Sequence, residues 1–243
     1  MVAGQDPSVE LLEIIDSLIT AITLDREKNH PLSYLGVERS DVSSVHYAEV
    51  PGNDEFEKET LQAVHASLGD CRRCGLHATR RNIVFGEGSS RAQVVFVGEA
   101  PGEDEDRQGR PFVGRAGQLL TKIIEAMSLT RGEVYICNIL KCRPPGNRNP
   151  LPGEILACEP FLIRQMEAIK PRVICALGTF AARTLLKNEA PITTMRGRFH
   201  NYHGIPLMPT YHPAYLLRNA SAKKLVWEDV QQIMKRLQTV EKS

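Results

Sequence analysis

The chain lacks any apolar run long enough to cross a membrane. Its longest near the N-terminus, Leu11 to Leu24, is broken by Glu13, Asp16 and Ser17. That excludes a bilayer span and a signal-peptide core there, and a cytoplasmic location is expected. Strong net charge is lacking too: the formal value is +1, so no global basic footprint announces nucleic acid. Acids are missing altogether between Glu189 and Glu228, an interval that carries Arg196, Arg198, Arg218, Lys223 and Lys224 beside His200, His203 and His212. Six cysteines in a reducing compartment are expected as metal ligands or buried thiols, not as a disulfide framework. What remains is a chain of 243 residues, 42% hydrophobic and 24% charged, enough for one substantial core and a small appendage.

The organisation divides at residues 55/56. Asp6-Pro7-Ser8 reads as a helix start, and Leu11, Ile15, Leu18 and Ile22 line one helical face. From His30 to Asp54, Pro31, Gly36, Pro51 and Gly52 interrupt serines and charges without periodicity, so residues 1–55 read as an N-terminal helix and linker. A short helix, Glu57 to Leu68, opens the remainder. Four short apolar runs then read as strands: Ala92–Gly98, Glu133–Leu140, Arg172–Gly178 and Ile205–Tyr211. Helical patterns at 116–127, 153–169 and 179–187 separate them. Continuous apolar strands alternating with helices predict a three-layer α/β/α fold around a mostly parallel four-stranded sheet. Ligands in such sheets bind beyond the carboxyl ends of the strands.

Three segments occupy those positions. After the first strand, Gly98 and Gly102 bracket Pro101, and Glu103, Asp104, Glu105 and Asp106 crowd behind. That charge argues against a nucleotide-phosphate loop, and an acidic solvated loop is the alternative reading. Phe112, between Pro111 and Val113, is a ring placed to stack on a flat ligand. Asn138 ends the second strand, where an amide both donates and accepts. It is suited to uracil, which offers a carbonyl and an N–H side by side, and equally to capping its own loop. After the fourth strand comes His212-Pro213, followed by Leu216 and Leu217 to wedge into a base stack and Arg218 for phosphate.

Cys71 and Cys74 form a C-x2-C pair. With two of the more distant cysteines they suit zinc or iron–sulfur equally by spacing. A redox pair fits less well, because Cys71 follows a helix instead of opening one after a strand. Cys137 and Cys175 fall inside apolar strands and read as core.

Three motifs, Gly98-Glu99-Ala100-Pro101-Gly102 with Gly109 to Gly114, Asn138 with Lys141-Cys142-Arg143-Pro144-Pro145, and His212 to Leu217, resemble the uracil-DNA glycosylase superfamily over residues 68–240, most closely its family-4 iron–sulfur branch. The resemblance implies a monofunctional DNA repair glycosylase that flips uracil from DNA and hydrolyses its N-glycosidic bond. It implies a [4Fe–4S] cluster on Cys71, Cys74, Cys142 and Cys158; as a structural clamp this would order the nearby basic loop, whose Arg72, Arg73, Arg80 and Arg81 are expected to face DNA phosphates. Uracil would meet Glu99, Ala100, Phe112, Asn138 and His212. Catalysis would fall to Glu105, Glu99, His212 and Asn147, with Glu105 holding the water and Glu99 positioning. Leu216, Leu217, Arg218 and Arg143 would contact DNA. Other superfamily members carry an acid where this chain has Ala100.

A related branch traps uracil-DNA covalently through a loop histidine; the stretch from Arg143 to Gly153 has none, which favours turnover. A non-catalytic zinc or iron–sulfur DNA-binding module is the rival. A monomer is expected, with the N-terminal helix either packed on its own domain or bound to a replication or repair protein.

Overall fold

The computed structural model describes residues 59–239. The expected N-terminal helix, the linker and the boundary at 55/56 lie outside the described residues. Helix α1 (Leu61–Leu68) starts where Thr60 Oγ1 accepts the Ala63 N–H at 3.1 Å. There follow β1 (Glu87–Gly88), β2 (Val94–Gly98), α2 (Glu103–Gln108), α3 (Arg115–Ala126), β3 (Tyr135–Asn138) and α4 (Pro152–Ile169). The second half holds β4 (Val173–Leu177), α5 (Thr179–Leu186), α6 (Ile192–Met195), β5 (His200–Tyr202), β6 (Ile205–Thr210), α7 (Pro213–Leu216) and α8 (Lys223–Gln238).

The sheet runs β1-β3-β2-β4-β6-β5. Its inner four strands are the expected ones and are parallel; β1 and β5 are short antiparallel edges. The expectation of four strands is thus corrected to six among the described residues. The edges escaped because two and three residues, Glu-Gly and His-Asn-Tyr, carry no apolar run. Along β2, Val95 and Val97 enter one core and Val94 and Phe96 the other. The first core is closed by Leu162 and Met166 of α4 with Ala181, Ala182 and Leu185 of α5. The second is closed by Leu120 and Ile124 of α3 with Val226, Val230 and Ile233 of α8. Two packed faces make the three-layer architecture.

Two helices correct the reading of the chain. The acidic stretch 103–106 is the first turn of α2, where four acids complement the helix N-terminal partial charge. It is too short for an apolar stripe, so composition pointed to a loop. Helix α8 adds to the expected helices, and its buried positions Val226, Asp229, Val230 and Ile233 recur at helical spacing.

One buried pairing fixes the end of β6. Asp229 accepts from Thr210 Oγ1 and from Arg196 Nε at 3.0 Å and Nη2 at 2.7 Å. Burial raises the Asp229 pKa, and the Thr210 hydroxyl and Arg196 oppose that rise. Asp229→Asn keeps the shape and removes the charge. It is expected to lower unfolding free energy by about 2 kcal/mol in urea titration; an unchanged midpoint would show the pairing to be neutral.

Candidate active site

A cleft of about 670 Å³ opens beyond the carboxyl ends of β2, β3 and β6. Its lining includes Glu99, Ala100, Glu105, Phe112, Asn138, Asn147, His212 and Arg218. All of the expected uracil-contacting and catalytic residues therefore share one cavity.

The floor is set by strand register. Gly98 pairs with Asn138 across the parallel β2–β3 ladder. A Cβ on Gly98 would stand 2.3 Å from Asn138 Oδ1 and 2.6 Å from Phe112 Cζ, so only glycine lets amide and ring approach this rung. Asn138 is 1% exposed, and its Oδ1 has no hydrogen-bond partner among the described residues. A buried amide oxygen left unpaired costs about 1–3 kcal/mol, a deficit that a ligand N–H would remove.

Phe112 forms the wall. Its backbone sits in the left-handed region at φ 51°, which is rare and strained for an aromatic residue. The surroundings impose it. Arg131 donates to the carbonyls of Pro111 (2.8 Å) and Phe112 (3.1 Å), while Glu105 Oε1 accepts the N–H groups of Val113 (2.8 Å) and Gly114 (2.9 Å). Gly117 lets α3 pass beneath, since a Cβ there would fall 1.9 Å from the Phe112 carbonyl oxygen. The ring ends 5.6 Å from that of His212, tilted 33°.

His212 is the N-cap of α7, and its Nδ1 accepts the Ala214 N–H at 3.1 Å. An accepting Nδ1 carries no proton, so the neutral ring bears its N–H on Nε2. Burial pushes its pKa down to about 4, against the opposing charge of Glu105 and with help from Arg218. At neutral pH the residue is an uncharged donor. Burial likewise raises the pKa of Glu99.

Glu105 has Oε1 committed to two backbone amides, which leaves Oε2 for the cleft. Asn147, in the left-handed region at φ 55°, takes the Arg143 Nε–H on Oδ1 at 2.7 Å. Arginine only donates, so the amide oxygen faces it and the NH2 is left over. Arg143 also approaches Glu103 at 3.4 Å. Arg143, expected on the DNA face, orients Asn147 through the Nε–H bond. Leu216 is 2% exposed and packs in the second core, whereas Leu217 is 44% exposed. Only Leu217 of that pair is free to enter a base stack.

The cysteines gather at a second place. Cys71, Cys74, Cys142 and Cys158 line one small cavity together with Arg73, Arg80 and Lys141. Arg73 donates to Cys71 Sγ at 3.3 Å, Arg80 to Cys142 Sγ at 3.5 Å, and the Lys141 backbone N–H to Cys158 Sγ at 3.3 Å. Burial pushes the Cys142 thiol up to about 11 and raises Cys158; Arg80 and Lys141 pull the other way. Among the described residues no three His, Cys, Asp or Glu side chains already converge on a single ion. Cys137 and Cys175 are buried in the sheet, as expected.

One of the arginines after Cys71 corrects an expectation. Arg80 has a side chain only 7% exposed and donates to the Cys71 carbonyl (2.7 Å), Cys142 Sγ and Asp70. Arg73 lies over the Phe161 ring and reaches the Ser67 and Leu68 carbonyls. Arg72 pairs with Asp70. Arg80 and Arg73 thus serve the cysteine site, and Arg80 is too deeply buried to meet a phosphate, whereas Arg72 stays exposed. Among the described residues no helix is long and apolar enough to cross a membrane.

Comparison with known proteins places this geometry. A family model, the Uracil DNA glycosylase superfamily, matches residues 85–231. The chain is 46% identical over 178 residues to the type-4 uracil-DNA glycosylase of Thermotoga maritima, spanning 72% of this chain and 93% of that protein. It is 43% identical to the type-4 enzyme of Saccharolobus solfataricus, over 74% and 87% of the two chains. With that of Archaeoglobus fulgidus the identity is 41% over 72% and 92%. The matched span contains the cleft from Gly98 to Arg218, and on that ground the chain belongs to the uracil-DNA glycosylase superfamily, on its type-4 branch.

Proposed function

We propose that the chain excises uracil from DNA, hydrolysing the bond between the base and C1′ of deoxyribose to leave an abasic site. The observation that carries this reading is the unpaired, buried Oδ1 of Asn138 at the floor of a cleft walled by Phe112. Uracil N3–H satisfies that oxygen, and the amide NH2 donates to O4. Cytosine presents an amine and a bare nitrogen on the same edge, the reverse pattern.

Within a duplex the base is out of reach, so the nucleotide is flipped into the cleft. Leu217 enters the vacated stack and Arg218 meets a phosphate. Phe112 stacks on the base. As the glycosidic bond breaks, its electron pair moves to uracil and positive charge develops on the sugar. His212 Nε2–H donates to O2 and stabilises the leaving anion in a water-poor site without transferring a charge of its own. Glu105 Oε2 faces the sugar cation and holds the attacking water, whose oxygen bonds to C1′ and whose proton is released. Glu99 positions the base, and the Asn147 NH2 supplies a further donor.

The four cysteines and the cations around them fit a thiolate-bound anionic centre, so Cys71, Cys74, Cys142 and Cys158 are assigned to a [4Fe–4S] cluster. When bound it supplies a covalent clamp between the segment at 71–74, the end of β3 and α4. Protein purified without oxygen is expected to be brown and to contain iron; a colourless zinc protein would overturn this assignment.

The decisive assay incubates the protein with a deoxyuridine oligonucleotide and then with alkali. Strand scission at uracil is expected, and intact strands would defeat the enzyme reading in favour of a binding module. A band that survives denaturant as a protein–DNA adduct would replace turnover with trapping. Glu105→Gln is expected to lower single-turnover excision about 10²-fold, by analogy with the loss of a positioned base. A near-normal rate would move the water to Glu99.

A further inference from the structure

The segment between the uracil reader and the cysteine site contains a side chain with no place in the mechanism above. Lys141 is 1% exposed, among the most deeply buried large side chains in the molecule. Its ammonium donates to the Asn138 backbone carbonyl at 2.7 Å and to Gln165 Oε1 at 2.6 Å. Gln165 is held in turn, its amide donating to Tyr135 Oη at 3.0 Å and to the Phe85 carbonyl at 2.9 Å. Every one of these acceptors is neutral, and no carboxylate pairs with this ammonium among the described residues. A buried cation with neutral partners alone is expensive, which is why such groups are almost always balanced by an opposite charge. Candidates for that opposite charge are the thiolates of the cavity that Lys141 lines, where Cys158 Sγ accepts its backbone N–H.

We propose that Lys141 is a positioning residue whose charge is balanced by the thiolate-bound cluster, and that it thereby couples occupancy of the cysteine site to the placement of Asn138. The inference rests on the iron–sulfur assignment. Four thiolates on an oxidised core would make the centre dianionic, and Lys141, which lines that cavity, bonds the Asn138 carbonyl through its ammonium. Arg80 and Arg73 bring positive charge to the same cavity from a separate segment. Among the described residues neither hydrogen-bonds to a β3 residue, whereas Lys141 bonds the Asn138 carbonyl and so links the cavity to the pocket. Removal of the cluster leaves the ammonium unbalanced beside the last residue of β3. The strand end then relaxes to let the cation reach water, and the amide that reads uracil shifts with it.

Lys141→Met, close in shape and without charge, tests this on the full chain purified without oxygen. Three quantities are read: iron per chain, the rate at which a ferrous chelator bleaches the visible absorbance, and affinity for an oligonucleotide carrying non-cleavable 2′-fluorodeoxyuridine. The variant is expected to bleach about 10- to 100-fold faster than the wild type, as loss of a metal-site supporting group typically does. Chelation is expected to weaken analogue binding strongly in the wild type and to add little in the variant, the non-additivity that marks a shared path. Equal bleaching rates with iron present in both would overturn the proposal and leave the cluster assignment standing. Absence of iron from the wild type would remove both. If Lys141→Met fails to fold, Gln165→Glu decides: it gives the ammonium a carboxylate in place of a neutral acceptor and should also speed bleaching. An unchanged rate would refute the charge balance.

Discussion

Replacing Asn138 with leucine is expected to abolish useful excision while leaving the protein at least as stable. The two effects share one cause. Asn138 holds a buried oxygen that nothing in the chain satisfies, a deficit that leucine, similar in size and apolar, does not carry. Removing it is worth about 1 kcal/mol of stability, a rise of about 2–4 °C in melting temperature for a domain of this size. The same substitution deletes the acceptor for uracil N3–H and the donor for O4. Sites built to hydrogen-bond a polar edge discriminate through those groups, so single-turnover excision is expected to fall about 10³-fold. A variant that loses both melting temperature and activity would mean that the amide supports the fold and that the orphaned oxygen is satisfied in solution by other means.

The second large effect belongs to His212. Its ring is expected to remain neutral through the range in which an ordinary histidine protonates, near 6.5, and to titrate only at about 4. Ring resonances followed by NMR should stay fixed from pH 8 to pH 5; a midpoint near 6.5 would refute the assignment. The sign for stability follows from the same shift. Between 6.5 and about 4 the unfolded chain binds a proton at this residue that the native state does not. Unfolding therefore becomes easier as pH falls through that window, and the contribution levels off once the native ring also protonates. Truncation to alanine removes the Nε2–H donor aimed at the leaving group. A loss of about 10²- to 10³-fold in excision is expected, the usual cost of one preorganised donor at a developing anion.

The parts of this site that could be read from the chain are those that parallel-sheet topology places automatically. Asn138, His212 and the turn from Glu99 each follow an apolar strand directly, so locating the strands located them. The parts that could not be read depend on partners distant in sequence. Arg80 meets the Cys142 sulfur across 62 positions, and Arg131 holds the Pro111 and Phe112 carbonyls from 20 and 19 residues away. A local pattern contains no trace of such pairings, and so the commitment of Arg80 to the cysteine site is not legible in the sequence. Leu216 and Leu217 are adjacent apolar residues in a stretch of a single helical turn. Only packing against the second core decides which of them faces solvent. Lys141 stood in a recognisable motif, but its depth, and with it the question of its charge, emerged only from the fold.

The rung between Gly98 and Asn138 constrains how this pocket can change over evolutionary time. Its depth is set by an atom that is missing, and every alternative amino acid adds at least the β-carbon that would stand 2.3 Å from the Asn138 oxygen. No graded series of substitutions exists at that point, so the floor is either kept or lost. New base preferences must arise by remodelling the sides, where Ala100 can grow and Phe112 can be exchanged. Lineages that diverge in substrate should accordingly differ at those walls while sharing the same glycine.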